Sequence, residues 1–142
     1  MKIGALLAHL QELEAELSRR LVDAAERHRD DHDVYHQCHT FAATVDRRLQ
    51  QLEPLAQGYG GAPTWRSAIV EGGDELLPEL RTLYVAAQEC ALTWTMAGQA
   101  AKAARDDELL AVATAAHSEV DLQAKWFETR IKTGAPQALV VA

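Results

Sequence analysis

Apolar residues recur at steps of three and four along most of this chain, and this spacing limits what the chain can fold into. In the first segment, leucine or isoleucine occupies positions 3, 6, 7, 10, 13, 17 and 21. Residues at these steps share one side of an α-helix, so the pattern predicts an amphipathic helix with one buried stripe. We place the charged residues of this segment on the opposite, exposed face: Glu12, Glu14, Glu16, Arg19 and Arg20.

Three further segments repeat the pattern, and valine and isoleucine do not alternate with polar residues as they would in a half-buried strand. The predicted helices span about residues 3–29, 33–57, 74–104 and 106–132. A connector over 58–73 holds five of the eight glycines and separates the second and third helices. Asp74 is the expected cap of the third helix, and Gly134 with Pro136 predicts the end of the fourth, leaving an apolar tail over 134–142.

Four long helices with short, long and short connections predict an all-α four-helix bundle, in which two helical hairpins are joined by a long connector. We expect one domain over residues 1–142, since this length suffices to bury a full core. A connector of about 16 residues reaches at most roughly 50 Å, which exceeds the ~38 Å length of a 25-residue helix. The connector can therefore cross the bundle and pack on it, or simply lengthen a turn.

The formal charge of −7 is spread along the chain without a basic patch, which argues against nucleic acid and membrane surfaces as partners. The chain also lacks an apolar run long enough to span a bilayer, so we expect a cytoplasmic protein. Cys38 and Cys90 lie among apolar residues and are expected to be buried thiols. The three tryptophans are expected to fill the core and its interfaces: Trp65, Trp94 and Trp126.

Residues 26–39, ERHRDDHDVYHQCH, contain four of the six histidines of the chain. On one continuous helix, His28, His32, His36 and His39 would lie at about 0°, 40°, 80° and 20° and so share one face. Neutral imidazoles one turn apart can chelate a transition metal such as Fe, Zn or Mn. Two other interpretations are open: polar capping at a helix junction, and a pH switch formed by histidines that repel when charged.

His117 lies on the apolar stripe of the fourth predicted helix, and Glu89 is an isolated acid within LYVAAQECALTW. An inward histidine is commonly a core residue hydrogen-bonded to a neighbour. The functional alternative is a central metal site that combines His117 with Glu16, Glu89 and His36 or His39, with His32 as a further candidate ligand.

The chain resembles the ferritin-like superfamily over nearly its whole length. The resemblance rests on the segments EGGDELLPELRTLYVAAQECALTWTMAGQAA and RDDELLAVATAAHSEVDLQAKWFETRIK, and on inward polar residues such as His36 and His117. It implies a bundle whose di-iron ligands are one Glu from each of two helices and a Glu-x-x-His from each of the others. The chain contains no Glu-x-x-His; its nearest match is Asp33-x-x-His36, and the fourth helix has His117-x-x-x-Asp121.

Two functions follow as hypotheses. The first is a non-catalytic bundle that acts through protein contacts, as a homodimer or with an unidentified protein. The alternative is a metal-binding protein with a redox role. No nucleophile arrangement or phosphate-binding loop is visible, so no catalytic residue is assigned.

Overall fold

The computed structural model describes residues 2–63 and 74–141, and these residues are helical with short connections. They form four long helices and a terminal π-helical turn: α1 (Ile3–Arg27), α2 (His32–Tyr59), α3 (Leu76–Ala104), α4 (Asp107–Pro136) and η1 (Gln137–Val141). No strand occurs among the described residues, which confirms the all-α prediction. The predicted packing of the connector concerns mainly residues 64–73 and lies outside the described part of the chain.

The helix boundaries are set by aspartate caps at two junctions. Asp31 caps α2 by accepting a hydrogen bond from the backbone N–H of Val34 at 3.1 Å. Asp106 caps α4 through the N–H of Leu109 at 3.0 Å, after Arg105 turns the chain in the left-handed region with φ 57°.

Helix α1 ends at Arg27 rather than near residue 29, helix α2 ends at Tyr59 rather than near residue 57, and two further predicted boundaries differ from the structure. The N-cap of α3 is Glu75 rather than Asp74, and its side chain makes no capping hydrogen bond. Helix α4 does not stop at Gly134 but continues to Pro136, after which the chain forms the π-helical turn. Pro136 is the last residue of α4, where its missing N–H removes a single helical hydrogen bond.

Contacts at the helix ends give the direction of each helix. At one end of the bundle Arg27 of α1 pairs with Glu79 of α3 at 2.7 Å, and Asp31 pairs with Arg130 of α4. At the opposite end the Tyr59 hydroxyl of α2 donates to Asp106 at 2.6 Å. Helix α2 therefore ends at one end of the bundle, and the described start of α3 lies at the other.

Neighbouring helices contact one another in different ways. Helix α1 packs closely along α2, as α3 does along α4, and the alanine-rich face of α3 also approaches α1. Helices α2 and α4 stand further apart and meet mainly through long side chains. Among these, Phe41 packs edge-to-face on Trp126 and Phe127, with ring centroids 5.9 and 5.6 Å away.

Candidate functional site

One polar side chain from each long helix meets at the centre of the bundle: Glu14, Arg48, Trp94 and Gln123. Arg48 Nη2 donates to Glu14 Oε2 at 2.8 Å, and the indole N–H of Trp94 donates to Glu14 Oε1 at 2.7 Å. Gln123 Oε1 lies 3.4 Å from Arg48 Nη2. Glu14 and Arg48 are completely buried, so this central cluster is shielded from water.

The central cluster supplies its own cation. The guanidinium of Arg48 balances the carboxylate of Glu14, while Arg48 Nη1 has no hydrogen-bond partner within the described residues. A metal ion at this position would have to displace the guanidinium from its carboxylate. Arginine keeps its proton in proteins, so such a displacement would leave a buried, unpaired charge.

The exposed position expected for Glu14 and Arg20 is wrong. Glu14 is fully buried and Arg20 only 9% exposed. The signal for Glu14 was present in the sequence, because positions 7, 10, 14, 17 and 21 follow alternating steps of three and four. Glu14 occupies a place on the buried stripe that is otherwise filled by leucine, and its charge obscured that position. Arg48 and Gln123 were missed, although each lies in the same spacing on its own helix.

Three of the predicted histidine ligands lie at the end of the bundle where α1 meets α2: His32, His36 and His39. His32 and His36 are exposed and line a shallow surface depression together with Arg29 and Tyr35. The Arg29 guanidinium lies 5.5 Å from the centre of the Tyr35 ring, so a positive charge already occupies this depression.

His39 and Glu16 each have a carboxylate or guanidinium partner on the protein surface. His39 Nε2 lies 3.3 Å from Glu26 Oε1, an exposed pair. Glu16 pairs with Arg19 and Arg20, and the hydrogen bond from Arg19 lowers the pKa of its carboxyl. Neither residue points to the central cluster.

His117 and Glu89 lie apart from the histidine stretch. His117 is half-buried in a groove between α3 and α4, and Glu89 is half-buried on α3. His117 precedes Arg130, which contacts the start of α2, by 13 residues, or about 20 Å of helix. The structure therefore does not bring His117 together with His36 or His39. Across the described ranges, no three His, Cys, Asp or Glu side chains form a group that could hold a metal ion.

The two cysteines are buried free thiols, as predicted. Burial raises the pKa of Cys38 to about 12, and the carboxylates of Glu79 and Asp31 add to the effect. Burial also raises the pKa of Cys90 well above its ordinary value, with Glu14 acting in the same direction. Both thiols therefore remain protonated and unreactive at neutral pH. Trp94 fills the core and Trp126 packs against it, whereas Trp65 lies outside the described residues.

Comparison of the chain with protein-family models, with curated proteins and with solved structures gave no match. No described helix has both the length and the apolar character needed to cross a bilayer. The fold and its centre define an all-helical bundle with an ionic core.

Proposed function

We propose that this chain is a ferritin-like bundle that acts through protein contacts, with a homodimer as its working form. The ferritin-like part is supported by the helix directions and by the connection between α2 and α3, which joins opposite ends of the bundle. It is also supported by the central cluster, to which each long helix contributes one polar side chain.

The observation that carries the dimer is an apolar surface at the end of the bundle where α4 terminates. Leu139, Val140 and Val141 project from the terminal turn and are 75%, 82% and 70% exposed. Beside them lies a groove of about 400 Å³ with walls formed chiefly by Leu76, Leu77, Leu80 and Ala138. We call the three projecting side chains and this groove the apolar end. Consecutive exposed apolar side chains of this kind mark a contact surface.

A second copy of the chain fits the apolar end because the three projecting side chains and the groove lie on the same surface. A two-fold interface uses one patch twice, so each copy can place its three projecting side chains against the leucines of the other. Arg130, the charged residue on the groove wall, is already paired with Asp31. The groove therefore offers an apolar partner little charge to desolvate.

The energy of such an interface is modest. Burying one valine or leucine side chain contributes about 1.5–3 kcal/mol, while association itself costs on the order of 4–15 kcal/mol. We therefore expect a reversible dimer with a dissociation constant on the order of micromolar.

Sedimentation equilibrium on the untagged chain over a range of concentrations tests the dimer. The native chain should dimerise reversibly, and Val140→Asp should be monomeric because it places a charge in the interface. Leu122→Asp is the matched control, since Leu122 is 67% exposed elsewhere on α4 and should leave association unchanged. A native chain that stays monomeric, or a Val140→Asp variant that dimerises normally, would overturn the proposal.

Metal binding by Fe, Zn or Mn is the second candidate, favoured by the proximity of His32 and His36 in one surface depression. His32 and His36 lie beside the positive charge of Arg29, and His39 is paired with Glu26, so this surface offers two imidazoles rather than a full set of metal ligands. We therefore expect weak binding at most. Elemental analysis of untagged protein before and after a chelator, with His36→Ala as control, tests it. Stoichiometric metal that is lost in the variant would establish a site and shift the function towards redox chemistry.

A further inference from the structure

The groove between α3 and α4 is lined by a lysine and by no acidic residue, although the chain as a whole is acidic. It has a volume of about 220 Å³ and is formed chiefly by Trp94, Gly98 and Lys102 of α3 and by Leu110, Thr114 and His117 of α4. Its lining includes one lysine and one histidine but no Asp or Glu, although the chain carries a net charge of −7. The surroundings of this groove thus favour a negatively charged ligand over a cation.

The Lys102 ammonium and the His117 ring are available to a ligand. Lys102 and His117 make no ion pair or side-chain hydrogen bond with the rest of the described chain. By contrast, the hydroxyls of Thr95 and Thr114, also in the groove, donate to the carbonyl oxygens of Ala91 and Leu110 at 3.1 and 2.8 Å. The donors left for a ligand therefore include the Lys102 ammonium and a ring N–H of His117.

The spacing of these donors sets the length of the ligand. Trp94, Gly98 and Lys102 follow one another at steps of four on α3, which places Lys102 about 12 Å along the helix from Trp94. His117 lies at the Trp94 end, because α3 and α4 run in opposite directions. Between the two ends the groove floor is apolar or small, formed by Gly98, Leu110 and Ala113.

We propose that this groove binds a small organic anion, a carboxylate or phosphate ester with a short apolar body. The anionic group contacts Lys102, the body lies over Gly98 and Leu110, and a polar group at the far end reaches His117. Ligand pockets for larger organic molecules are roughly 300–1,000 Å³, so the volume of this groove suits a compact ligand. This proposal is independent of the dimer, since the groove and the apolar end share no lining residue.

Titration with benzoate, phenyl phosphate and the neutral analogue benzamide tests the proposal, read by amide chemical shifts and by tryptophan fluorescence. Either anion should give saturable shifts at the amides of residues near Lys102 and Gly98, where its charged group and its ring lie, since both probes lack the far-end polar group that would reach His117. Benzamide should bind at least about tenfold more weakly, because it lacks the charge that pairs with Lys102.

Two variants, each compared with a matched control, locate the site. Lys102→Gln should weaken anion binding about tenfold, whereas Lys125→Gln should not, because Lys125 pairs with Asp121 and does not line the groove. Gly98→Leu should block binding by filling the floor, and Gly98→Ala should leave space, since its added methyl carbon would lie 3.8 Å from the Ala113 Cβ. Helicity and melting temperature are measured for each variant to confirm that it folds. No saturable shift at millimolar anion, or equal binding by native and Lys102→Gln protein, would overturn the proposal.

Discussion

The buried pair of Glu14 and Arg48 dominates the energetics of the bundle centre. Removing two charges from water costs several kcal/mol each, so such a pair is a poor source of net stability. Its effect is on which arrangement of helices can form. A slip of one helix by a single turn would separate the charges and leave both buried without partners. The pair therefore favours one register of the four helices over its neighbours.

Single and double replacements distinguish register from net stability. Glu14→Gln leaves the Arg48 charge unpaired, and Arg48→Met leaves the Glu14 carboxylate unpaired. We expect each to lower the free energy of unfolding by about 3–5 kcal/mol. The double variant should recover most of that loss because no charge is left unpaired, and the amide oxygen of the introduced glutamine can still accept the indole N–H of Trp94. Urea unfolding gives all three values, and additive losses would contradict the coupling.

The capping aspartates do more than begin their helices, because each also joins α2 to α4. Asp31 caps α2 and pairs with Arg130 of α4, while Asp106 caps α4 and accepts the hydroxyl of Tyr59 from α2. The two junctions lie at opposite ends of the bundle. Since α2 and α4 meet mainly through side chains, these polar contacts fix their separation at both ends.

Two substitutions of Asp106 distinguish its role as the cap of α4 from its hydrogen bond to Tyr59 of α2. Asp106→Ala removes both and should lower the free energy of unfolding by about 1–2 kcal/mol, whereas Asp106→Asn keeps an accepting oxygen for the N–H of Leu109 and should lower it by less.

The backbone N–H of Leu109 and the Tyr59 hydroxyl lower the pKa of Asp106. Its contribution is therefore present above its ordinary pKa of 3.8 and is lost as the pH falls through the lower native value. Unfolding of the Asn variant should lack this acid dependence.

Helix formation could be read from the sequence because it depends on local spacing. Every residue of the leucine stripe assigned to the first helix is buried except Ile3, and Trp94 fills the core as expected. The members of the central cluster follow the same steps of three and four, but charged residues are usually exposed, so the spacing alone does not distinguish Glu14 and Arg48 from surface residues. The mutual distance of His36 and His117 could not be read, because it depends on the relative height of helices that the sequence does not specify.

Association of two copies has to overcome their charge. Each copy carries −7, so the apolar contact forms against long-range repulsion, which salt screens. We expect the dimer to tighten as ionic strength rises from low to physiological. The melting temperature should rise with protein concentration in the native chain but not in Val140→Asp, because only a binding partner makes stability depend on concentration. Calorimetry at several concentrations checks this, and a constant midpoint in the native chain would contradict it.

The long connection between α2 and α3 also orders events during synthesis. Glu14 and Arg48 both precede that connection, so their ion pair can close before α3 and α4 exist. At roughly 5–20 residues per second, translation of residues 64–142 takes roughly 4–16 s. Throughout that interval α1 and α2 expose the leucine stripes that α3 and α4 later cover. The partly synthesised chain is thus more prone to aggregation and to chaperone binding than the folded bundle.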